Sequence, residues 1–402
     1  MADSPVPDGF LPLPRVAAAE LTYERFLTDF ALPRKPFILE GVGAEWPAAT
    51  RWAGGPDAAM SYLLAHEGVN LAHAVTATVR GLAGGSGVED ETTVGGALTK
   101  LRSRQPSQQP QDRYYLSAWD YVRGGSEALQ RDFDVPAHFD RAPRWLAEHA
   151  VLGCAATDMR WLYIGEAGTG SQTHVDTNLS SAWLWVAQGR KEWVCAHGGD
   201  HALVSAPEGA VETPAGPPCS EAGAPLPDLF APDLFERHPR LRRARLFFGV
   251  QRPGDVCFNP SGCVHAVRNT EFTFSLTHNF VDATNLADAA RDAVVQIGAE
   301  LLPMVRSLGP KRVVRTLAES LGVPKGALRR TLRDLPHLLA DEAVADVVRA
   351  ASAPRGAETE AEALAVERLL AAHLAGALDA PLRESFGAAT RELVEALGLG
   401  AE

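Results

Sequence analysis

Cysteine is scarce in this 402-residue chain. Its five residues, Cys154, Cys195, Cys219, Cys257 and Cys263, form no Cys-x-x-Cys pair. That spacing excludes a zinc ribbon and a thioredoxin-type motif, and an odd count in a chain this long points to buried, reduced thiols. Long apolar runs are also missing, since no stretch reaches the roughly 18 apolar residues a membrane span needs. The first residues, Met1-Ala-Asp-Ser-Pro-Val-Pro-Asp8, have neither a basic segment nor an apolar one, so no secretory signal is expected. These absences predict a cytoplasmic protein, or a nuclear one in a eukaryote, with no membrane partner. Positive charge is outnumbered: 38 Lys and Arg face 50 Asp and Glu, for a formal net charge of −12. Such a chain is a poor general nucleic-acid binder. The basic cluster Lys311, Arg312, Arg315, Lys325, Arg329, Arg330 and Arg333 therefore reads as a solvated helical face. No repeat of fixed period is found. The remaining composition, 46% hydrophobic and 22% charged, is ordinary for a globular protein and excludes wholesale disorder.

Three compositional zones follow along the chain. Residues 1–110 mix short apolar runs with helical patterns. Residues 20–30 have helical spacing, with Leu21, Phe26, Leu27 and Phe30 near one face. Pro36-Phe-Ile-Leu-Glu-Gly-Val42 reads as a strand closed by glycine. Segments 81–91 and 103–112 read as loops from their Gly, Ser, Pro and Gln content. Residues 111–283 are strand-rich. Candidate strands are Tyr114–Trp119, Arg160–Glu166, Thr173–Thr177, Ser181–Ala187, Glu192–His197, Asp255–Asn259, Cys263–Asn269 and Phe272–Val281, rich in the aromatic and β-branched residues that strands favour. Many short strands with turns between them suggest a sandwich or barrel. A proline-rich insertion at 205–232 reads as a surface loop or lid. Residues 284–402 turn to Ala, Leu, Glu and Arg with helical periodicity. Pro310, Pro324, Pro336, Pro354 and Pro381 divide this zone into about five helices, one opened by a capping box at Thr359 and Glu362.

The chemistry concentrates in Gly168-Thr-Gly-Ser-Gln-Thr-His174-Val-Asp176. On a strand, residues i and i+2 share a face, so His174 and Asp176 place an imidazole beside a carboxylate. Alone, a His-x-Asp is more often a hydrogen-bonded surface pair. With His265, behind a Pro-Ser-Gly turn on another candidate strand, it makes two His and one carboxylate, a donor set that leaves open positions on Fe(II). Lys191 opens the strand Lys-Glu-Trp-Val. The last strand, Phe272-Thr-Phe-Ser-Leu-Thr-His-Asn-Phe280, alternates apolar side chains with Thr273, Ser275, Thr277 and Asn279. A polar line facing inward requires a polar ligand to satisfy it.

The order and spacing of these segments, from Lys35-Pro-Phe-Ile-Leu-Glu-Gly to Thr277-His-Asn-Phe280, resemble the JmjC branch of the Fe(II)- and 2-oxoglutarate-dependent oxygenases, the cupin-like hydroxylases. Within it they are most similar to the Jumonji-type protein lysyl hydroxylases. The resemblance implies a mainly β fold with α elements. Its core would be a double-stranded β-helix (jelly roll) with N-terminal α/β elements and a C-terminal helical domain. It assigns His174, Asp176 and His265 to Fe(II), and Lys191 to the far carboxylate of 2-oxoglutarate. Ser171 stands where relatives place a threonine on that carboxylate, and Tyr115, Thr277 and Asn279 match further cosubstrate-side residues. Two departures bear on the pocket: Leu184 replaces an asparagine and His278 replaces a glutamine.

The implied activity is hydroxylation of a C–H bond with 2-oxoglutarate and O₂ as cosubstrates, and succinate and CO₂ as coproducts. The expected substrate is a protein Lys, Arg or Asn side chain. N-methyl demethylation, a small-molecule or tRNA hydroxylase, a cupin with other metal chemistry and a non-catalytic scaffold are the alternatives. Lys191 and Ser171 argue against a cupin that needs no carboxylate anchor, and the intact triad argues against a scaffold. The C-terminal helices carry apolar faces suited to a homodimer. His197 and His201 read as ordinary loop residues rather than a second metal site, and Trp183, Trp185 and Trp193 as barrel wall rather than a methyl-lysine cage.

Overall fold

The computed structural model describes residues 4–79, 88–103, 113–143, 146, 159–205, 226–321, 323–356 and 358–400. Fourteen strands among them form two sheets. In chain order they are β1 (Leu11–Pro12), β2 (Arg15–Ala17), β3 (Phe37–Glu40), β4 (Ala74–Val79), β5 (Val88–Thr93), β6 (Tyr114–Trp119) and β7 (Arg160–Gly165). Then come β8 (Gly170–His174), β9 (Ser181–Gln188), β10 (Lys191–Ala196), β11 (Leu246–Gln251), β12 (Val256–Asn259), β13 (His265–Asn269) and β14 (Thr273–Phe280). The larger sheet runs β2-β3-β12-β9-β14-β7-β6-β4-β5 and the smaller β1-β11-β10-β13-β8. From β7 onward the chain passes between the two sheets, and the eight strands β7–β14 supply β12-β9-β14-β7 to one and β11-β10-β13-β8 to the other. This is the double-stranded β-helix that the family resemblance implies, and one of the two architectures, sandwich or barrel, that the strand pattern suggests.

Period-two alternation explains how the sheets are covered. In β9, Ala182, Leu184 and Val186 alternate with Trp183 and Trp185. Leu184 and Val186 join Trp193, Cys195, Cys257 and Val267 in the layer between the sheets. Trp183 and Trp185 face outward into a large core with Phe26, Phe37, Phe258 and Phe274, where Trp183 stacks on Phe139. They are barrel wall. Against the back of the smaller sheet pack Leu229, Leu234 and Leu241.

Several expected boundaries move. The strand expected at 173–177 is Gly170–His174. It stops there because the chain turns through Thr177–Leu179, where Asn178 (φ 57°) and Leu179 (φ 48°) are left-handed and cannot continue a ladder. Of the loop expected at 81–91, residues 88–91 belong to β5, paired with β4, and 81–87 lie outside the described residues. Ser103 ends a helix, Val94–Ser103, and 104–112 lie outside the described residues. In the proline-rich segment, 206–225 lie outside them; Leu229, beyond, is buried. Strand β11 was not expected. Its Gly249 reads as a breaker, but a Cβ there would stand 2.6 Å from Leu13 Cβ, so the glycine admits β1 alongside.

Beyond β14 the described residues hold seven α-helices rather than five: Leu286–Gln296, Leu302–Leu308, Pro310–Leu321, Lys325–Asp334, Asp341–Ser352, Glu360–Ala377 and Ala380–Ala396. The break at Gly309 (φ 77°) is the one Pro310 marks, and the break that was not expected is the wide turn over Ile297–Leu301, ahead of Pro303. The capping box at Thr359 and Glu362 is formed. These helices share the larger core with the outer face of the barrel.

Candidate metal centre and carboxylate pocket

His265 on β13 lies directly opposite His174 on β8. Their rings are 4.2 Å apart between centroids. Asp176 lies just past the strand end, but its backbone stays extended (φ −63°, ψ 141°), so the alternation that aligns it with His174 persists. The ligand atoms of His174, Asp176 and His265 all lie within 4.8 Å of one another. This is the sole such cluster among the described residues. Each imidazole is oriented by its backbone. His174 Nδ1 lies 2.7 Å from the Gln172 carbonyl and His265 Nδ1 lies 3.0 Å from the Cys263 carbonyl. A carbonyl accepts, so both Nδ1 atoms carry the proton and both Nε2 atoms offer a lone pair to a metal. Two such nitrogens and one carboxylate fit a facial-triad ion of the Fe(II) type.

All eight residues singled out by the sequence line one cavity of about 40 Å³ between the sheets: Tyr115, Ser171, His174, Asp176, Lys191, His265, Thr277 and Asn279. Lys191 occupies its inner end, 1% exposed. Its Nζ donates to Asn269 Oδ1 at 2.8 Å, and Asn269 Nδ2 donates to Thr169 Oγ1 at 2.9 Å. Among the described residues no carboxylate pairs with Lys191. Desolvation alone pushes its pKa from 10.5 down to about 7. Burial pushes the Tyr115 phenol well up, offset in part by the Ser171 hydroxyl. Thr277 Oγ1 donates to the Trp183 carbonyl at 3.1 Å and Asn279 Nδ2 to Ser180 Oγ at 3.0 Å. Beside them on β14, His278 points away from the cavity toward Trp183. Its pKa is pushed down to about 3 by burial and by Arg160.

The rest of the lining was given no site role in the sequence: Tyr163, Ala182, Asn259 and Val267, with Trp193, expected as barrel wall, and Leu184 in the asparagine's place. Trp193 could have been found, because it stands two residues from Lys191 on the same strand face. It stacks near His265, 5.8 Å between centroids, and its Nε1 donates to Gln251 Oε1 at 2.8 Å. Asn269 and Thr169 carry no local signal, since strand pairing brings them to Lys191. Gly170 is fixed by close approach, because a Cβ there would stand 2.0 Å from the Val267 carbonyl oxygen. His197 Nδ1 accepts from Gly199 N and His201 Nδ1 bonds the Gly262 carbonyl, so both serve the loops they occupy.

The first C-terminal helix braces both metal-bearing loops. Asp288 accepts from Ser261 Oγ at 2.9 Å, in the turn before His265, and pairs with Arg34. Gln296 Nε2 donates to Asn178 Oδ1 at 3.0 Å, two residues past Asp176.

Residues 23–285 match the model of a family described as cupin-like domain. The chain is similar to an arginine-specific demethylase, JMJ22, of Arabidopsis thaliana, with 28% identity over 269 residues, 66% of this chain and 46% of that protein. It is similar to a 2-oxoglutarate and iron-dependent oxygenase, JMJD4, of Homo sapiens, with 26% identity over 279 residues, 67% of this chain and 61% of that protein. It is also similar to a bifunctional arginine demethylase and lysyl-hydroxylase, psr-1, of Caenorhabditis elegans, with 24% identity over 282 residues, 68% of this chain and 62% of that protein. The chain thus spans between 46% and 62% of the length of these curated relatives.

Proposed function

The chain belongs to the cupin-like domain family, and on that premise we propose that it is an Fe(II)- and 2-oxoglutarate-dependent oxygenase that hydroxylates a C–H bond of a protein Lys, Arg or Asn side chain. One observation carries this reading: a two-His, one-carboxylate donor set shares a cavity with a buried lysine that lacks a carboxylate partner. His174, Asp176 and His265 would hold Fe(II). When bound, Fe(II) and 2-oxoglutarate supply the activation of O₂ for C–H hydroxylation, with succinate and CO₂ released. Lys191 holds the far carboxylate as a desolvated cation, where a charge pair is strong because water is absent. Ser171 and Tyr115 line the same cavity, and their hydroxyls interact with each other. Thr277, Asn279 and Trp193 narrow it and exclude water, which favours productive alignment of cosubstrate and target carbon.

The protein-substrate part of the reading is supported by the names of the relatives, two of which are demethylases of arginine. That favours a second reading, in which the same hydroxylation falls on an N-methyl group of arginine and formaldehyde leaves. Free thiols at Cys195, Cys257 and Cys263 support a cytoplasmic location, and among the described residues no helix is long and apolar enough to cross a membrane. A homodimer through the C-terminal helices belongs to the same proposal, supported by the exposed Leu308 and Leu364. The test is to incubate the purified protein with Fe(II), 2-oxoglutarate, O₂ and libraries of Lys-, Asn-, Arg- and methyl-Arg-containing peptides. Succinate release with a peptide mass gain of one oxygen supports hydroxylation. Loss of a methyl group with formaldehyde selects the second reading. Absence of any 2-oxoglutarate turnover with iron bound counts against both.

A further inference from the structure

Asn259 ends β12 with its side chain in the cavity, 2% exposed, and no role described above uses it. Its Oδ1 faces two thiols, Cys195 Sγ at 3.5 Å and Cys263 Sγ at 4.0 Å. A thiol has one S–H to donate and a sulfur that accepts weakly. Cys263 gives its one S–H to the nearer Ala196 carbonyl at 3.1 Å, so Cys195 is the thiol that donates to Oδ1, and that bond turns Nδ2 the other way. Among the described residues nothing accepts from Nδ2. Nδ2 is left open to the cavity that Asn259 lines, where an occupant can supply its acceptor.

Strand register places this donor along the cavity. Cys195, which touches Asn259, lies directly opposite His265, and His265 lies opposite His174. On the facing sheet, Asn259, Ala182 and Asn279 stand side by side on β12, β9 and β14. Asn259 is therefore level with the metal donors. Lys191 lies four residues further along β10, ~13 Å away at ~3.3 Å per residue. Ala182 is small and leaves the space beside Asn259 open. Asn279, at the same level, has one of its two Nδ2 hydrogens on Ser180, which holds its amide toward that residue. In the next rung of β9, the Leu184 side chain has no polar atom.

We propose that Asn259 is a positioning residue whose Nδ2 donates to the metal-side carboxylate of bound 2-oxoglutarate, while Lys191 holds the far one. This rests on the oxygenase reading above. The two amino acids divide the cosubstrate between them, one neutral donor at the metal end and one cation at the inner end.

The test titrates the full chain, loaded anaerobically with Fe(II), with 2-oxoglutarate and follows the visible charge-transfer band of the chelated keto acid. Asn259→Val and Asn259→Asp are compared with Lys191→Ala. The Asp variant keeps an oxygen facing the thiols and so preserves the packing if the Val variant does not fold. Both Asn259 variants should retain iron and lose affinity for 2-oxoglutarate about tenfold or more, with Asp the weaker because two carboxylates repel. At saturation their band should also shift, since the hydrogen bond acts on the chelating end. Lys191→Ala should lose affinity without moving the band. Asn259 variants within about twofold of the wild-type affinity, or with an unmoved band, overturn the proposal and leave the oxygenase reading intact. A wild-type protein that holds iron but binds no 2-oxoglutarate sinks that reading, and the proposal with it.

Discussion

Replacing Lys191 with methionine should make the empty protein more stable and the cosubstrate-bound protein less so. The wild-type ammonium is buried with one amide oxygen as its partner. Its fall from 10.5 to about 7 corresponds to ~5 kcal/mol of unfavourable charging, at about 1.36 kcal/mol per pH unit. The folded value lies below the unfolded one, so the protein binds fewer protons at this site when folded. The penalty is therefore full below about pH 7, shrinks as pH rises and vanishes near pH 10.5. Lys191→Met removes the charge, keeps most of the stem and leaves Asn269 Oδ1 without a donor, a cost of ~1–3 kcal/mol. The net expectation is a gain of ~2–4 kcal/mol near pH 6.5, fading with rising pH. Urea unfolding of both proteins, without metal or cosubstrate, at about pH 6.5, 8 and 9.5 measures it. With metal and excess 2-oxoglutarate the order should invert, because ligand binding stabilises the wild type by mass action and the variant has lost its anchor. A variant less stable than wild type near pH 6.5, or a difference that ignores pH, would refute the idea that the pocket holds an unpaired, desolvated cation.

Other outcomes follow from the same geometry. With Lys191 mostly neutral near pH 8, 2-oxoglutarate binding should take up close to one proton per site; calorimetry in buffers of different ionisation enthalpy should detect the uptake in wild type and its absence in Lys191→Met. His278, held neutral with its value pushed down to about 3, contributes stability that is full above the free-histidine range near pH 6.5 and is lost as pH falls through that window. His278→Gln should therefore narrow the gap between unfolding free energies at about pH 7.5 and 4.5 by ~2 kcal/mol, and an unchanged gap would count against it. Asp288→Ala frees Ser261 and strands Arg34; it should weaken metal affinity about 10-fold or more in a chelator competition, with Ser261→Ala smaller in the same direction.

Much of the site was legible because its chemistry is local. His174-Val-Asp176 is an i, i+2 pair, Lys191 opens a strand of alternating residues, and Thr277 and Asn279 share the polar face of β14. Period-two alternation also separated Leu184 and Val186 from Trp183 and Trp185, one set between the sheets and the other outside. The family resemblance joined these segments, and the barrel brings all eight residues to one cavity. Helix breaks marked by proline, the one at Gly309-Pro310 among them, were readable in the same way, while the wide turn at Ile297–Leu301 was not. Strand β11 was hidden because Gly249 has the signature of a turn, and only the presence of Leu13 against it explains the residue.

The sequence by itself determined the donor types, their spacing within each strand and the alternation that turns them inward, since these depend on neighbours along the chain. The tertiary structure decided everything set by pairing between distant strands. It put Asn269 and Thr169 beside Lys191, stood Asn259 against two thiols at the level of the histidines, and laid the helix Leu286–Gln296 against both metal-bearing loops. It also decided how far Lys191 is desolvated. Burial and register are properties of the closed barrel, where segments many residues apart exclude water together, and no window of sequence contains them.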